Sequence, residues 1–207
     1  MNTPFGNVPI TQGYQTQGDF LSTMDYEGEL VVVIKKKAFN ISVDVALDHV
    51  LGYSVGNDVS HRGWQIDRGG EPEPQYSMGK DADGWGPWGP AIVSTSIIPD
   101  PQKLQLTTKV NGVMKQNETT GNMIFGVAQI VSFFSMGITL QPGDVIFTGT
   151  WVNGLRCMCT PLLNALSTCS PAGINLGSPN PVWLVDGDVV EVGLTEIGTC
   201  TNKYVYT

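Results

Sequence analysis

The chain has 207 residues, 41% of them hydrophobic, with 25 glycines and 13 prolines; this suits one domain with a substantial core, β-rich rather than a helical bundle. Its 19 acidic against 11 basic residues leave a net charge of −8, and the basic run Lys35-Lys36-Lys37 reads as a solvated strand end, so nucleic acid and anionic membrane are poor partners. No apolar stretch approaches the roughly 20 residues of a membrane span and no signal-peptide pattern opens the sequence, which points to a cytoplasmic protein, with the mitochondrion as the other compartment open to it.

Residues 1–23 are polar and without a clear period, and are expected to form an extended arm or loop ahead of a single domain over residues 24–207. From Asp25 to Ile34 the sequence reads as a strand that carries two acids into an apolar run. Alternation puts Glu27 and Glu29 on one face, a few ångströms apart. Such a pair is commonly the wet face of an edge strand. Beside a run suited to burial on both faces, it instead calls for a proton or a cation between the acids. Asp58, just beyond the apolar segment that ends at Tyr53, offers a third oxygen. Three carboxylates completed by water or substrate suit Mg²⁺ first, or Mn²⁺ or Ca²⁺, better than zinc.

Ser42 to Val50 reads as a short helix, with Ser42 as its cap and Val45, Leu47 and Val50 on its apolar side, ended by Gly52. His49 within it is expected to be packed or at the surface. His61, three residues after Asp58, is either a histidine hydrogen-bonded to its loop or a substitute acid or base in catalysis. Gly63 to Met78 is a loop rich in Gly, Pro and charge, followed by a turn-dense stretch from Gly79 to Pro90 that contains Lys80.

Ala91–Ser96 and Leu104–Val110 read as strands separated by Pro99-Asp100-Pro101, and Asn111-Gly112 is a strong hairpin signal. Met123 to Phe134 has apolar residues at helical spacing, Ile124, Val127, Ile130, Val131 and Phe134. Gln141-Pro142-Gly143-Asp144 is a turn into a strand over Val145–Phe147, which delivers Thr148-Gly149-Thr150. Residues 151–180 form an irregular insertion with little helix or strand signal. Asp186-Gly187-Asp188 is a further tight turn, Val189–Leu194 alternates as a strand, and Cys200–Tyr206 is expected to be the last one. The cysteines, Cys157, Cys159, Cys169 and Cys200, lack paired Cys-x-x-Cys spacing or nearby histidines; free thiols or a disulfide suit them better than zinc.

From Asp25 to about Val205 the chain resembles the fumarylacetoacetate hydrolase family. The resemblance is carried by Asp25-Tyr26-Glu27-Gly28-Glu29-Leu30, by Asn57-Asp58-Val59-Ser60 with Arg62 and Gln65, by Gly79-Lys80 with Asp83, and by Gly89-Pro90. It continues through Val110-Asn111-Gly112, Leu140 to Ile146, Thr148-Gly149-Thr150 and Asp186-Gly187-Asp188-Val189-Val190. It implies an α+β, β-rich fold, a twisted roll of mixed sheets with few short helices, and commonly a homodimer. It also implies that Glu27, Glu29 and Asp58 hold Mg²⁺ or a similar cation and that Arg62, Gln65, Lys80 and Thr150 line the substrate pocket, Lys80 stabilising developing negative charge. The implied activity is hydrolysis of a carbon–carbon bond in a small 2-oxo or 1,3-dicarbonyl acid of acylpyruvate type, the metal chelating the oxo acid and stabilising an enolate. Short hydrolases of the family activate water with a His–Glu pair near the N-terminus, and no histidine precedes His49 here. Oxaloacetate decarboxylation or tautomerisation needs chiefly the electron sink, and both are carried as alternatives, as is binding of a small acid without turnover.

Overall fold

Backbone hydrogen bonds gather the apolar runs into two main sheets and a two-stranded pair, in a computed structural model that describes residues 3–15, 22–67, 76–150, 174–175, 178 and 180–207. In chain order the first elements are β1 (Val8–Ile10), α1 (Gln12–Gln15), β2 (Met24–Asp25), β3 (Gly28–Ile34), α2 (Val43–Ala46) and β4 (Val50–Asn57). Then come β5 (Ser60–His61), α3 (Tyr76–Lys80), β6 (Trp88–Ser94), β7 (Gln105–Val110) and β8 (Val113–Thr119). The chain closes with α4 (Val127–Gly137), β9 (Val145–Phe147), β10 (Val189–Leu194) and β11 (Gly198–Tyr206).

One sheet runs β6-β4-β3-β9, antiparallel throughout, and the other runs β1-β11-β10-β7-β8, with β1 parallel to β11. β3 lies between β4 and β9, and every residue in it is buried. Leu30, Val32 and Ile34 enter the main core with Leu106 of β7, Val190, Val192 and Leu194 of β10 and Tyr204 of β11. Val31 and Val33 are buried on the opposite face. A near-continuous apolar run is what a strand covered on both faces requires, and each fully buried Val, Leu or Ile contributes about 1.5–3 kcal/mol. The result is the β-rich α+β fold, with mixed sheets and few short helices. No described helix is long and apolar enough to cross a membrane.

The hairpin at Asn111-Gly112 forms as expected, with φ of 50° and 78°, the left-handed pair of a tight two-residue turn. Other expectations differ from the structure. Val8–Ile10 is a strand rather than arm or loop, its Val8 and Ile10 buried in the core. Gly52 does not end a helix but sits inside β4, opposite Val33 and Ser94. α2 is one turn without a side-chain bond from Ser42, and Val45 faces solvent while Ala46 is buried. Helix α4 starts later than the periodicity suggests, leaving Ile124 exposed ahead of it. Its first N–H groups are met by two glutamines, Gln129 accepting from Gly126 N and Gln102 from Val127 N, caps that no Ser, Thr, Asp or Asn pattern announces. Tyr76 to Met78, expected as loop, belongs to α3. Cys200 is a buried free thiol; Cys157, Cys159 and Cys169, with most of the 151–180 insertion, lie outside the described residues.

A Cβ on Gly52 would stand 2.2 Å from the Val93 carbonyl oxygen, whereas one on Gly137 meets nothing within 4 Å. Gly52→Ala should therefore cost about 2–3 kcal/mol and lower Tm by about 4–12 °C, and Gly137→Ala should be neutral or stabilise by up to about 1 kcal/mol, as read by thermal melts. Burial pushes the Cys200 thiol up to about 12. Its raised value means that the stability it contributes is complete below the ordinary thiol range and is lost as pH climbs towards 12. At pH 8 site-resolved mass spectrometry should find Cys200 unmodified by iodoacetamide in the native protein and modified after unfolding.

Candidate active site

The acids sit where β3 and β4 begin to part. Gly28 pairs with Asn57 and Glu29 with Gly56; one step further out, Asp58 N donates to Glu27 O at 2.9 Å and Glu27 N donates to Asn57 Oδ1 at 3.2 Å. Glu27 lies just ahead of the regular strand, yet the alternation holds. One carboxylate oxygen from each of Glu27, Glu29 and Asp58 lies within 4.8 Å of the others. Gly28 between the two glutamates is required by packing, because a Cβ there would meet Thr108 Oγ1 at 2.3 Å and Val192 Cγ1 at 2.9 Å. The acid-bearing strand thus rests directly on the second sheet. Asn57 Nδ2 adds a bond to Tyr204 Oη at 3.1 Å.

Two cations reach these carboxylates. Lys80, at the end of α3, donates to Glu27 Oε2 at 2.9 Å and to Asp58 Oδ2 at 2.5 Å. Arg62 binds Glu27 Oε1 through one terminal nitrogen, Asp25 Oδ2 through Nε at 2.9 Å and Gln65 Oε1 at 2.7 Å. Burial alone would raise Glu27, but Lys80 and Arg62 override it and hold the carboxyl down to about 2. Burial and the neighbouring Glu27 charge push Asp58 up to about 6, against the pull of Lys80. Glu29 is raised well above the usual carboxylate range by burial and by the charges of Asp58 and Glu27, opposed by Lys80 and by a 2.7 Å bond from Gly149 N. With all four carboxyls ionised, Asp25, Glu27, Glu29 and Asp58 would set four negative charges against the two positive ones of Arg62 and Lys80, and the raised values of Asp25, Glu29 and Asp58 show protons standing in where no further cation balances them. The excess matches one dication, and the donors are all hard oxygens, so the site fits Mg²⁺, Mn²⁺ or Ca²⁺.

Beside the acids opens a cleft of about 350 Å³, with Asp58 and Lys80 on its wall, Trp85 and Phe147 as aromatic surfaces, and Asp81, Ala82 and Gly86 completing it among the described residues. The N-terminal segment buttresses it: Trp85 Nε1 donates to Pro9 O at 2.9 Å, and the Tyr14 ring packs 4.9 Å from that of Trp85.

Of the residues expected to line the pocket, Lys80 does so. Arg62 and Gln65 are buried beneath the acids and bonded to each other. Thr150 is buried too, donating to Gly28 O at 3.0 Å and accepting from Gln116 Nε2 at 2.8 Å, so its hydroxyl braces the strand between the acids. His61, expected either as a loop histidine or as a catalytic substitute, is fully buried. Its Nδ1 accepts from Trp64 N at 3.1 Å and its Nε2 meets the Tyr14 carbonyl at 3.0 Å, which the neutral Nε2–H tautomer satisfies. His49 is half-buried, near the Lys36 carbonyl. The sequence reading passed over Gln116, Trp85 and Phe147 as site residues. Period-2 alternation from Val145 put Phe147 in a strand, but nothing local shows that β9 lies against β3 with Phe147 opposite Val31.

Fold and site together place an acidic cluster beside a cleft at the open end of a sheet. A profile of the fumarylacetoacetate hydrolase C-terminal domain matches residues 1–205. A Burkholderia cenocepacia protein described no further than as a hydrolase is 42% identical over 175 residues, 84% of this chain and 54% of that protein. The mitochondrial oxaloacetate tautomerase of Xenopus laevis is 37% identical over 182 residues, 88% of this chain and 50% of that protein. The solved fumarylacetoacetate hydrolase of Exiguobacterium antarcticum matches with a TM-score of 0.77 at 33% identity, covering 98% of this chain and 62% of its own. The chain belongs to the fumarylacetoacetate hydrolase family. It spans about half the length of the curated relatives it matches.

A cation that binds the folded state at 100 times its Kd adds about 2.7 kcal/mol to stability. Mg²⁺ or Mn²⁺ titrated into the wild type should raise Tm accordingly. Glu29→Gln, which keeps the shape of the protonated acid, should fold at least as stably without the cation and lose that gain; calorimetry should show its affinity at least about tenfold weaker.

Proposed function

We propose that this chain is a divalent-metal-dependent enzyme that interconverts the keto and enol forms of a small 2-oxo dicarboxylic acid of oxaloacetate type. The observation that carries this reading is the convergence of three acids at the edge of a cleft whose wall presents Lys80. Glu27, Glu29 and Asp58 would hold the cation. Bound there, it supplies Lewis acidity that favours charge on the oxo oxygen while a neighbouring C–H bond breaks.

The remaining work falls to side chains of the chain. Lys80, held between Glu27 and Asp58, has its ammonium form strongly favoured by their charges despite its burial. That puts a charged donor where an enolate oxygen develops, close to the aromatic walls of Trp85 and Phe147, where low polarity strengthens the attraction. In the enolising direction the C–H bond pair becomes the carbon–carbon π bond, the carbon's proton passes to solvent and the oxygen takes an equivalent proton back from solvent, while the Lys80 ammonium keeps its own proton and stabilises the oxygen's charge by hydrogen bonding. No water is consumed. Tautomerisation therefore suits a cleft that neither histidine lines among the described residues. The 37% identity to an oxaloacetate tautomerase supports the same reading.

Hydrolysis of an acylpyruvate-type carbon–carbon bond is the second reading, favoured by the likeness to the Exiguobacterium hydrolase. It shares the enolate but adds an activated water. Ultraviolet absorbance of enol-oxaloacetate and of acetylpyruvate separates the two. With Mg²⁺ or Mn²⁺ the wild type should speed approach to tautomeric equilibrium, and Lys80→Met should lower kcat by about 10²–10³-fold. Cleavage of acetylpyruvate with no effect on the oxaloacetate tautomers would favour the second reading. Cation binding without turnover of either would overturn both in favour of a small-acid-binding protein.

A further inference from the structure

Glu27 is gripped on both oxygens, Oε2 by Lys80 on the cleft wall and Oε1 by Arg62 from beneath. Arg62 is held in turn by Asp25, a fully buried acid that lies outside the three-carboxylate cluster and off the cleft wall. Asp25 Oδ1 accepts three N–H groups: Tyr26 N at 2.9 Å, Asn175 Nδ2 at 3.1 Å and Asn175 N at 3.3 Å. Asn175 is itself buried and fixed through its Oδ1, which accepts from Val182 N at 3.1 Å. A continuous series of hydrogen bonds therefore runs from Asn175 through Asp25 and Arg62 to one oxygen of Glu27.

We propose that Asp25 and Asn175 are positioning residues for the cation site: Asn175 fixes Asp25, Asp25 orients the Arg62 guanidinium, and Arg62 presents Glu27 to the cleft. The inference rests on the metal reading above. Its physical basis is the fork geometry of arginine. With Nε and a terminal nitrogen committed to Asp25 and Gln65, the remaining nitrogen points one way, and Glu27 is aligned by it. Partners one step removed from a ligand typically change metal affinity or activity by about 10–100-fold when lost. Asn175 is the far anchor because it satisfies Asp25 with two donors and carries no charge, so the acid stays available to Arg62 rather than being neutralised.

The test uses the full chain and Mn²⁺ alone, its affinity read by calorimetry and by the electron paramagnetic resonance of free ion. Asn175→Ala should weaken Mn²⁺ binding about tenfold and Asp25→Asn by about 10–100-fold. Asn175→Asp, which sets a like charge against Asp25, should weaken it more than Asn175→Ala. Ser178→Ala removes only the bond to Asn180 N in the same stretch and should leave affinity unchanged. At saturating Mn²⁺, kcat of Asn175→Ala should return to within a few-fold of wild type, since the residue acts through Glu27. Lower Tm with unchanged Mn²⁺ affinity in both Asn175→Ala and Asp25→Asn would overturn the relay and leave the metal reading intact. Failure of the wild type to bind Mn²⁺ would overturn both.

Discussion

The structure depends on a charge imbalance that the backbone enforces. Antiparallel pairing of β3 and β4 sets Glu29 opposite Gly56, and the extension of that pairing brings Glu27 and Asp58 side by side. In water three such acids would repel each other and separate. Here they cannot, because Glu29 lies in β3 and Glu27 and Asp58 stand one residue beyond the paired ends of β3 and β4, strands whose other residues fill the core. The free energy of apolar burial, of order 10² kcal/mol over a domain, imposes a local repulsion of a few kcal/mol. Lys80 and Arg62 relieve part of it, and the rest is an affinity for positive charge directed at the cleft.

The same economy explains the second sheet. β7, β8 and β10 are not merely the other half of the core, for Gly28 lets them come close enough that Thr108 of β7 and Gln116 of β8 contact the peptide between the two glutamates. Gln116 receives hydrogens from Thr108 Oγ1 at 2.5 Å and from Gly28 N at 3.3 Å, while its amide donates to Thr150. Both polar groups of the Gly28 peptide are thus satisfied from elements distant in sequence. A buried polar network that is fully bonded makes one geometry far better than its neighbours, which a site built on sub-ångström alignment requires.

Much of this was legible before any coordinates. The strand that carries the acids, the convergence of Glu27, Glu29 and Asp58, the Asn111-Gly112 hairpin and the placing of Lys80 all follow from short-range rules or from motif resemblance. What was not legible came from long-range pairing. Val8–Ile10 looks like a polar arm because three residues are too few for a period, and only β11 beside it makes them a strand. Helix α4 was misplaced at its start because its caps come from glutamine side chains, one of them some 25 positions away. Arg62, Gln65 and Thr150 were expected to line the pocket. The partners that hold Arg62 and Thr150, namely Asp25, Gly28 and Gln116, lie 34 or more positions off, and Gln65 is held through Arg62, so these bracing roles do not show in local sequence.

The stretch between Thr150 and Asn175 begins and ends on fixed posts. At one end a threonine hydroxyl is tied to the carbonyl of Gly28, and at the other an asparagine is tied to Asp25, three residues away on the same acid-bearing segment. Each mooring thus holds the acid-bearing segment by its own bond, so the carboxylates keep their place independently of the sequence written between the two.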